Sequence, residues 1–93
     1  MATERTLRLR LSAYERGLIW DYGYPFEDLR RQLQALAEND DEHVVTIDPY
    51  YLDHLLADLV RSMKRANSRL LDELDELYDN IASQAAEQGH HVL

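Results

Sequence analysis

The sequence predicts an α+β fold that is predominantly α: two short strands, two N-terminal helices and a long C-terminal helix or helical hairpin. Three observations predict it. Residues 6–11 alternate strictly, with Leu7, Leu9 and Leu11 on one face and Arg8 and Arg10 on the other, the period of a half-buried strand. Residues 43–47 are short and β-branched, with Val44, Val45, Thr46 and Ile47 in succession. Most of the remainder carries leucines at helical spacing, and from Pro49 onward neither Gly nor Pro recurs until Gly89.

Each strand runs directly into a helix-start signal. Ser12 has Glu15 three residues on, the pattern of a capping box. Asp48 precedes Pro49, an N-cap followed by proline at the first helical position. The two junctions superpose at an offset of 36 residues, matching Leu9 with Val45, Leu11 with Ile47, Ser12 with Asp48, Tyr14 with Tyr50 and Ile19 with Leu55. This reads as a pseudo-repeat of strand, cap and helix. The two strands are expected to pair, because a lone strand leaves its backbone groups unsatisfied; the direction of pairing is open.

The first helix is expected over residues 13–22, stopping at Gly23. At 100° per residue it has two apolar faces: Tyr14, Leu18 and Tyr22 on one, Trp20 beside Ala13 and Gly17 on the other. A second helix packed closely over Gly17 would cover Trp20. Tyr24-Pro25 restarts the chain, and residues 26–38 form a second helix with Leu29, Leu33 and Leu36 on one face; residues 39–41 are a loop. Of the tyrosine pair that opens the third helical stretch, Tyr50 is assigned to the core, by its match to Tyr14.

Leu52, Leu56, Leu59, Met63, Ala66 and Leu70 step by alternating fours and threes, and Leu74, Leu77 and Ile81 continue after a stutter at Leu70. Asn67-Ser68 is a weak breaker, so one continuous helix of about 60 Å is favoured over a hairpin. A helix that long would leave its seam wet. It therefore predicts a homodimer whose seam is Leu59, Met63, Ala66, Leu70, Leu74, Leu77 and Ile81. Antiparallel crossing near Leu70 would set Arg61, Lys64, Arg65 and Arg69 against the partner's Asp72, Glu73, Asp75, Glu76 and Asp79.

Ninety-three residues, 45% of them hydrophobic, supply one core, so residues 1–88 form a single domain and 89–93 a frayed tail. There is no Cys to add a disulfide or a thiolate metal site, which suits the cytoplasm. No signal-peptide-like or membrane-length apolar run is present. Charge is unevenly placed: residues 1–37 hold six Arg against five acids, residues 38–93 four basic residues against thirteen acids. A net charge of −8 disfavours bare phosphate backbones and suits a basic partner.

The aromatic residues Trp20, Tyr24 and Phe26 are candidate anchors for a partner protein, since Trp and Tyr dominate interface hot spots. The run Asp72, Glu73, Asp75 and Glu76 is either a solvated helix face or a second surface for a basic partner. His54, Asp58 and Ser62 share a helical stripe, but Asp58 lies between the other two, and His54 stands about 12 Å from Ser62 along the axis, too far for a hydrolytic relay. His90 and His91 fall in the tail. No glycine-rich phosphate loop or nucleophile elbow appears, and a core this small is expected to leave little room for a ligand-sized pocket.

Arg8 and Arg10, on a strand before a capped helix, resemble the ribbon-helix-helix DNA binders over about residues 5–38. In that family a paired strand reads the major groove. The present first helix is about a turn shorter, and the strand pairing offered is intramolecular, whereas the family pairs strands across a dimer. The expectation is thus a non-catalytic regulatory or interaction protein without cofactor, a homodimer whose other partner is a basic protein, with nucleic acid and membrane disfavoured. The alternatives are an antitoxin-like DNA-binding regulator using the Arg-bearing ribbon, and an acidic nucleic-acid mimic that inhibits a basic partner.

Overall fold

The structure is a computed structural model and describes residues 6–90. Six elements follow one another: β1 (Leu7–Leu11), α1 (Ala13–Tyr22), α2 (Glu27–Ala35), β2 (His43–Ile47), α3 (Pro49–Met63) and α4 (Ser68–Glu87). The fold is α+β and predominantly α. Both expected helix starts are realised. Ser12 and Glu15 exchange the two bonds of a capping box, and Asp48 accepts from the backbone N–H of Tyr50 with Pro49 in the first turn.

β1 and β2 pair antiparallel, with Leu7 opposite Ile47, Leu9 opposite Val45 and Leu11 opposite His43. The middle pair, Leu9 with Val45, is one that the 36-residue offset also matches, so an approximate two-fold axis passes through the centre of the ribbon. The chain is two β-α-α units facing each other across that axis. Their second helices cross over: α4 lies along β1 and α2 along β2.

That crossing solves the edge-strand problem on both sides. Gln84 of α4 donates to the carbonyl of Arg10 and accepts from its N–H at 2.9 and 2.7 Å. Gln88 repeats the pattern on Arg8 at 2.7 and 2.8 Å. Four residues of helix rise about 6 Å and two residues of strand about 6.8 Å, so the two amides stay in step with alternate strand residues. Gln32 of α2 makes the two-fold counterpart, bonding both the N–H and the carbonyl of Thr46 at 2.8 Å. Side-chain amides thereby take the place of a third and a fourth strand.

The apolar face of the ribbon, Leu7, Leu9, Leu11, Val45 and Ile47, joins Leu18, Ile19, Leu29 and Leu33 of the N-terminal helices and the leucine stripes of α3 and α4 in one core. Gly23 ends α1 as expected, and its reason is space. A Cβ there would stand 2.6 Å from the Leu55 side chain and 2.9 Å from the Ile19 carbonyl, so α1 closes onto α3 only with glycine at that point.

Several expectations are corrected. The favoured continuous C-terminal helix is broken: α3 stops at Met63, tight turns run through Ala66, and Asn67 caps α4 by accepting from the N–H of Leu70. A through-helix would have aligned Arg61, Arg65 and Arg69 four apart, a like-charge stripe that opposes helix formation. The stutter at Leu70 has the same solution. Folding back brings both leucine stripes onto one core, which a straight helix cannot do. The residues assigned to a dimer seam are consequently inside one chain: Leu59, Leu74, Leu77 and Ile81 are fully buried, and Met63, Ala66 and Leu70 pack against them. Arg61 pairs with Asp58 and Arg69 with Glu73, each on its own helix, so two of the four basic residues are engaged within the chain.

α2 is shorter than expected, starting after Phe26 and ending at Ala35 in a turn through residues 36–38. Tyr50 is 63% exposed and Tyr14 59%, so neither is core. The match between them holds in the opposite sense, because Tyr50 lies about 160–180° around the helix from Leu52 and Leu59. Gly89 and His90 are not frayed. Gly89 takes φ 89°, and the N–H of His90 returns to Ala85 at 2.9 Å, a glycine-terminated helix end. His91 and the rest of the assigned tail lie outside the described residues. No helix among the described residues is long and apolar enough to cross a membrane.

Candidate functional site: an aromatic groove beside the second strand

Two neighbouring residues break local rules. Tyr24 has φ 46°, the left-handed region that costs a non-glycine residue about 1–2 kcal/mol. Phe26 occupies the N-cap of α2 and makes no side-chain capping bond, whereas Ser12, Asp48 and Asn67 cap the other three helices. A missing cap costs about 1 kcal/mol. Glu27 and Asp28 offset part of it by placing negative charge in the first turn. Neither aromatic is repaid by burial: Tyr24 is 68% exposed and Phe26 45%.

Phe26 builds a wall of rings with α3, and Tyr24 lines the groove beside it. Phe26 lies tilted against Tyr51 with centroids 4.5 Å apart and edge-on to His54 at 5.7 Å. Tyr50 meets Tyr51 at 5.3 Å and His54 at 4.6 Å, both edge-to-face. The wall borders an open groove of about 770 Å³ whose floor includes Leu29, Ile47 and Leu55. Glu27, Asp28 and Asp48 line it, and Arg31 is the one cation among the described lining residues. The expectation of no ligand-sized space is therefore not met: the space forms where α2, β2 and α3 diverge at the surface, not within the core.

The two-fold counterpart of this place is built differently. Tyr14 stands where Tyr50 does, but its hydroxyl donates to Glu73, and Asn67 caps α4 where Phe26 precedes α2. That bond to Glu73 holds the Tyr14 pKa above its ordinary value, because ionising the phenol would set two anions together. The symmetry is broken: Tyr14 is exposed but tied to Glu73, whereas Tyr50 joins a cluster of rings.

Of the residues singled out in the sequence, Tyr24 and Phe26 share the groove. Trp20 does not line it. It sits on the adjoining surface, 41% exposed, with the Arg30 guanidinium 5.3 Å from its ring. The second helix does not pack over Gly17, at which a Cβ would meet nothing within 4 Å, so a further open groove runs between Ala13, Gly17 and Leu33. Asp72, Asp75 and Glu76 form a solvent-exposed face of α4 remote from the rings, and Glu73 is engaged by Tyr14 and Arg69.

The His54–Asp58–Ser62 stripe is dispersed into other tasks. His54 joins the rings, Asp58 pairs with Arg61, and the Ser62 hydroxyl donates to the Tyr22 carbonyl at 2.8 Å. His90 bonds Asp53 at 2.9 Å. Among the described residues no group of three or more His, Asp or Glu converges as a metal site.

Sequence reasoning placed Tyr50 in the core and Tyr51 at the surface, and grouped neither of them, nor His54, with Tyr24 and Phe26 as site residues. The signal was present: measured from the Leu52–Leu56–Leu59 stripe, Tyr50 falls on the far side. It also missed Arg16, the one buried charged residue among those described, whose guanidinium donates to the carbonyls of Leu11, Asn39 and Asp41 and ties the loop before β2 to the end of β1. Comparison with family models, with curated proteins and with solved structures finds no match to this chain.

Proposed function

We propose that this chain is a non-catalytic interaction protein whose partner docks on the groove of Tyr24, Phe26, Tyr50 and Tyr51. One observation carries the proposal: adjacent aromatics are held exposed at positions where the backbone and the helix cap would each favour another residue. Strain of this kind collects at functional sites, because selection keeps it only where something else is gained. Rigid rings bring large contact area at small entropic cost, which is why they anchor interfaces. The net acidity of the chain favours a basic partner, and the absence of Cys suits a reducing compartment such as the cytoplasm.

A second reading has an observation of its own. The antiparallel ribbon is two-fold symmetric within one chain and leaves Arg8 and Arg10 exposed, so a DNA-binding ribbon would need no second copy. Against it, Arg10 faces Glu42 at 3.9 Å, and Glu87 borders the same surface.

Affinity capture from native lysate, with and without nuclease, separates the two. The expected result is a nuclease-resistant protein recovered by the wild type and by Asp72→Asn with Glu76→Gln, and lost with Phe26→Ser or Tyr51→Ser. Loss of one central aromatic anchor typically removes 2 kcal/mol or more of binding, about thirtyfold in affinity. Recovery indifferent to both ring variants would end the groove proposal. Nucleic acid recovered alone, and lost with Arg8→Ala and Arg10→Ala, would put the ribbon in its place.

A further inference from the structure

Given that the groove is the partner surface, its lining also limits what the partner presents there. Tyr24, Phe26, Tyr50 and Tyr51 line it, and the faces of such rings attract cations. Among the described residues, three carboxylates against one arginine make the lining net negative. An apolar segment docked there would strip water from those carboxylates without replacing it, and an acidic one would meet like charge. On the adjoining surface the chain already shows the pairing such a groove favours: Arg30 stacked over Trp20 at 5.3 Å.

We infer that the groove receives an arginine-bearing basic segment of a protein partner, its guanidinium lying on the ring wall and donating to Asp48. Arginine fits better than lysine because its plane stacks on a ring while its edge donates, and because it is less strongly hydrated. Asp48 spends Oδ1 on the cap at Tyr50, which leaves Oδ2 to accept. On the acidic face of α4 the neighbouring ring, Tyr14, is already committed through its hydroxyl to Glu73, and no cluster of rings is grouped there among the described residues.

The test is an NMR titration of the intact chain with a short capped peptide, acetyl-Gly-Arg-Gly-Arg-Gly-amide, at physiological salt. Saturable shifts are expected on the rings of Phe26, Tyr50 and Tyr51 and on Asp48, with ring-current shifts on the arginine side chain. Asp48→Asn retains a good N-cap and removes the charge, so the fold persists while affinity falls about fivefold. The same peptide with lysine should bind more weakly.

Shifts confined to Asp72 through Asp79, or spread over all acidic surfaces and abolished by salt, would overturn the inference. So would groove shifts that appear on concentrating the protein alone and not on adding peptide, which would seat a second copy there. A captured partner that needs Phe26 and Tyr51, together with a peptide that leaves the groove unmoved, would refute the arginine chemistry and leave the groove as the partner surface. Capture insensitive to the rings would remove both.

Discussion

Leu77→Ala is expected to lower stability by about 2–5 kcal/mol, the cost of emptying a filled core position. Leu77 is 1% exposed and lies where the stripe of α4 meets that of α3 within one chain. Single domains of this class hold only about 5–15 kcal/mol in total, so the variant should melt at least 8 °C lower, at roughly 4–8 °C per kcal/mol. The loss should be the same across about a hundredfold range of protein concentration, because Leu77 is already buried within one chain. Calorimetry at several concentrations checks this. A loss that varies with concentration would move Leu77, and with it the whole stripe, back to an interface between copies.

The second large effect is expected at Arg16. Arg16 is 5% exposed, and among the described residues its guanidinium donates only to backbone carbonyls and to no carboxylate. Arg16→Met keeps much of the apolar stem and removes every donor, leaving the carbonyls of Leu11, Asn39 and Asp41 without that partner. Each buried group so abandoned costs about 1–3 kcal/mol, less where water can enter. A total of about 2–4 kcal/mol is expected, with amide exchange accelerated first in residues 39–47, the segment this side chain ties down. Arg16→Lys should rescue little, since one ammonium cannot reproduce the two-nitrogen fork that spans the loop and β1. Uniform loss of protection across all elements would show that Arg16 acts only on global stability.

The contrast between what was and was not legible in the sequence follows from locality. Strand alternation over Leu7 to Leu11, the caps at Ser12 and Asp48 and the stop at Gly23 are set by neighbouring residues, and all three were readable. The choice between a through-helix and a hairpin was not, because the breaker is only an Asn67 cap and the gain comes from distant leucines meeting in one core. Tyr50 went to the core on a correspondence with Tyr14 that was sound in itself; the error lay in supposing Tyr14 buried. Gln32, Gln84 and Gln88 look like ordinary polar helix residues until the strands they complete are placed beside them. Of the candidate site, Tyr24 and Phe26 were named from aromatic clustering, while α3's share of the ring wall needed the angle between α2 and α3.

The most direct test of the claim that this aromatic surface is kept for binding is the thermal stability of Tyr24→Gly with Phe26→Ser. Glycine relieves about 1–2 kcal/mol of left-handed strain and serine restores a cap worth about 1 kcal/mol. Against these gains stand about 0.5–1.5 kcal/mol of lost ring contact and some apolar area. The double variant should therefore melt within a few degrees of the wild type, or above it, while failing to retain the partner. A loss of more than about 3 kcal/mol, beyond what ring contact at exposed positions can supply, would contradict the claim and make Tyr24 and Phe26 structural residues.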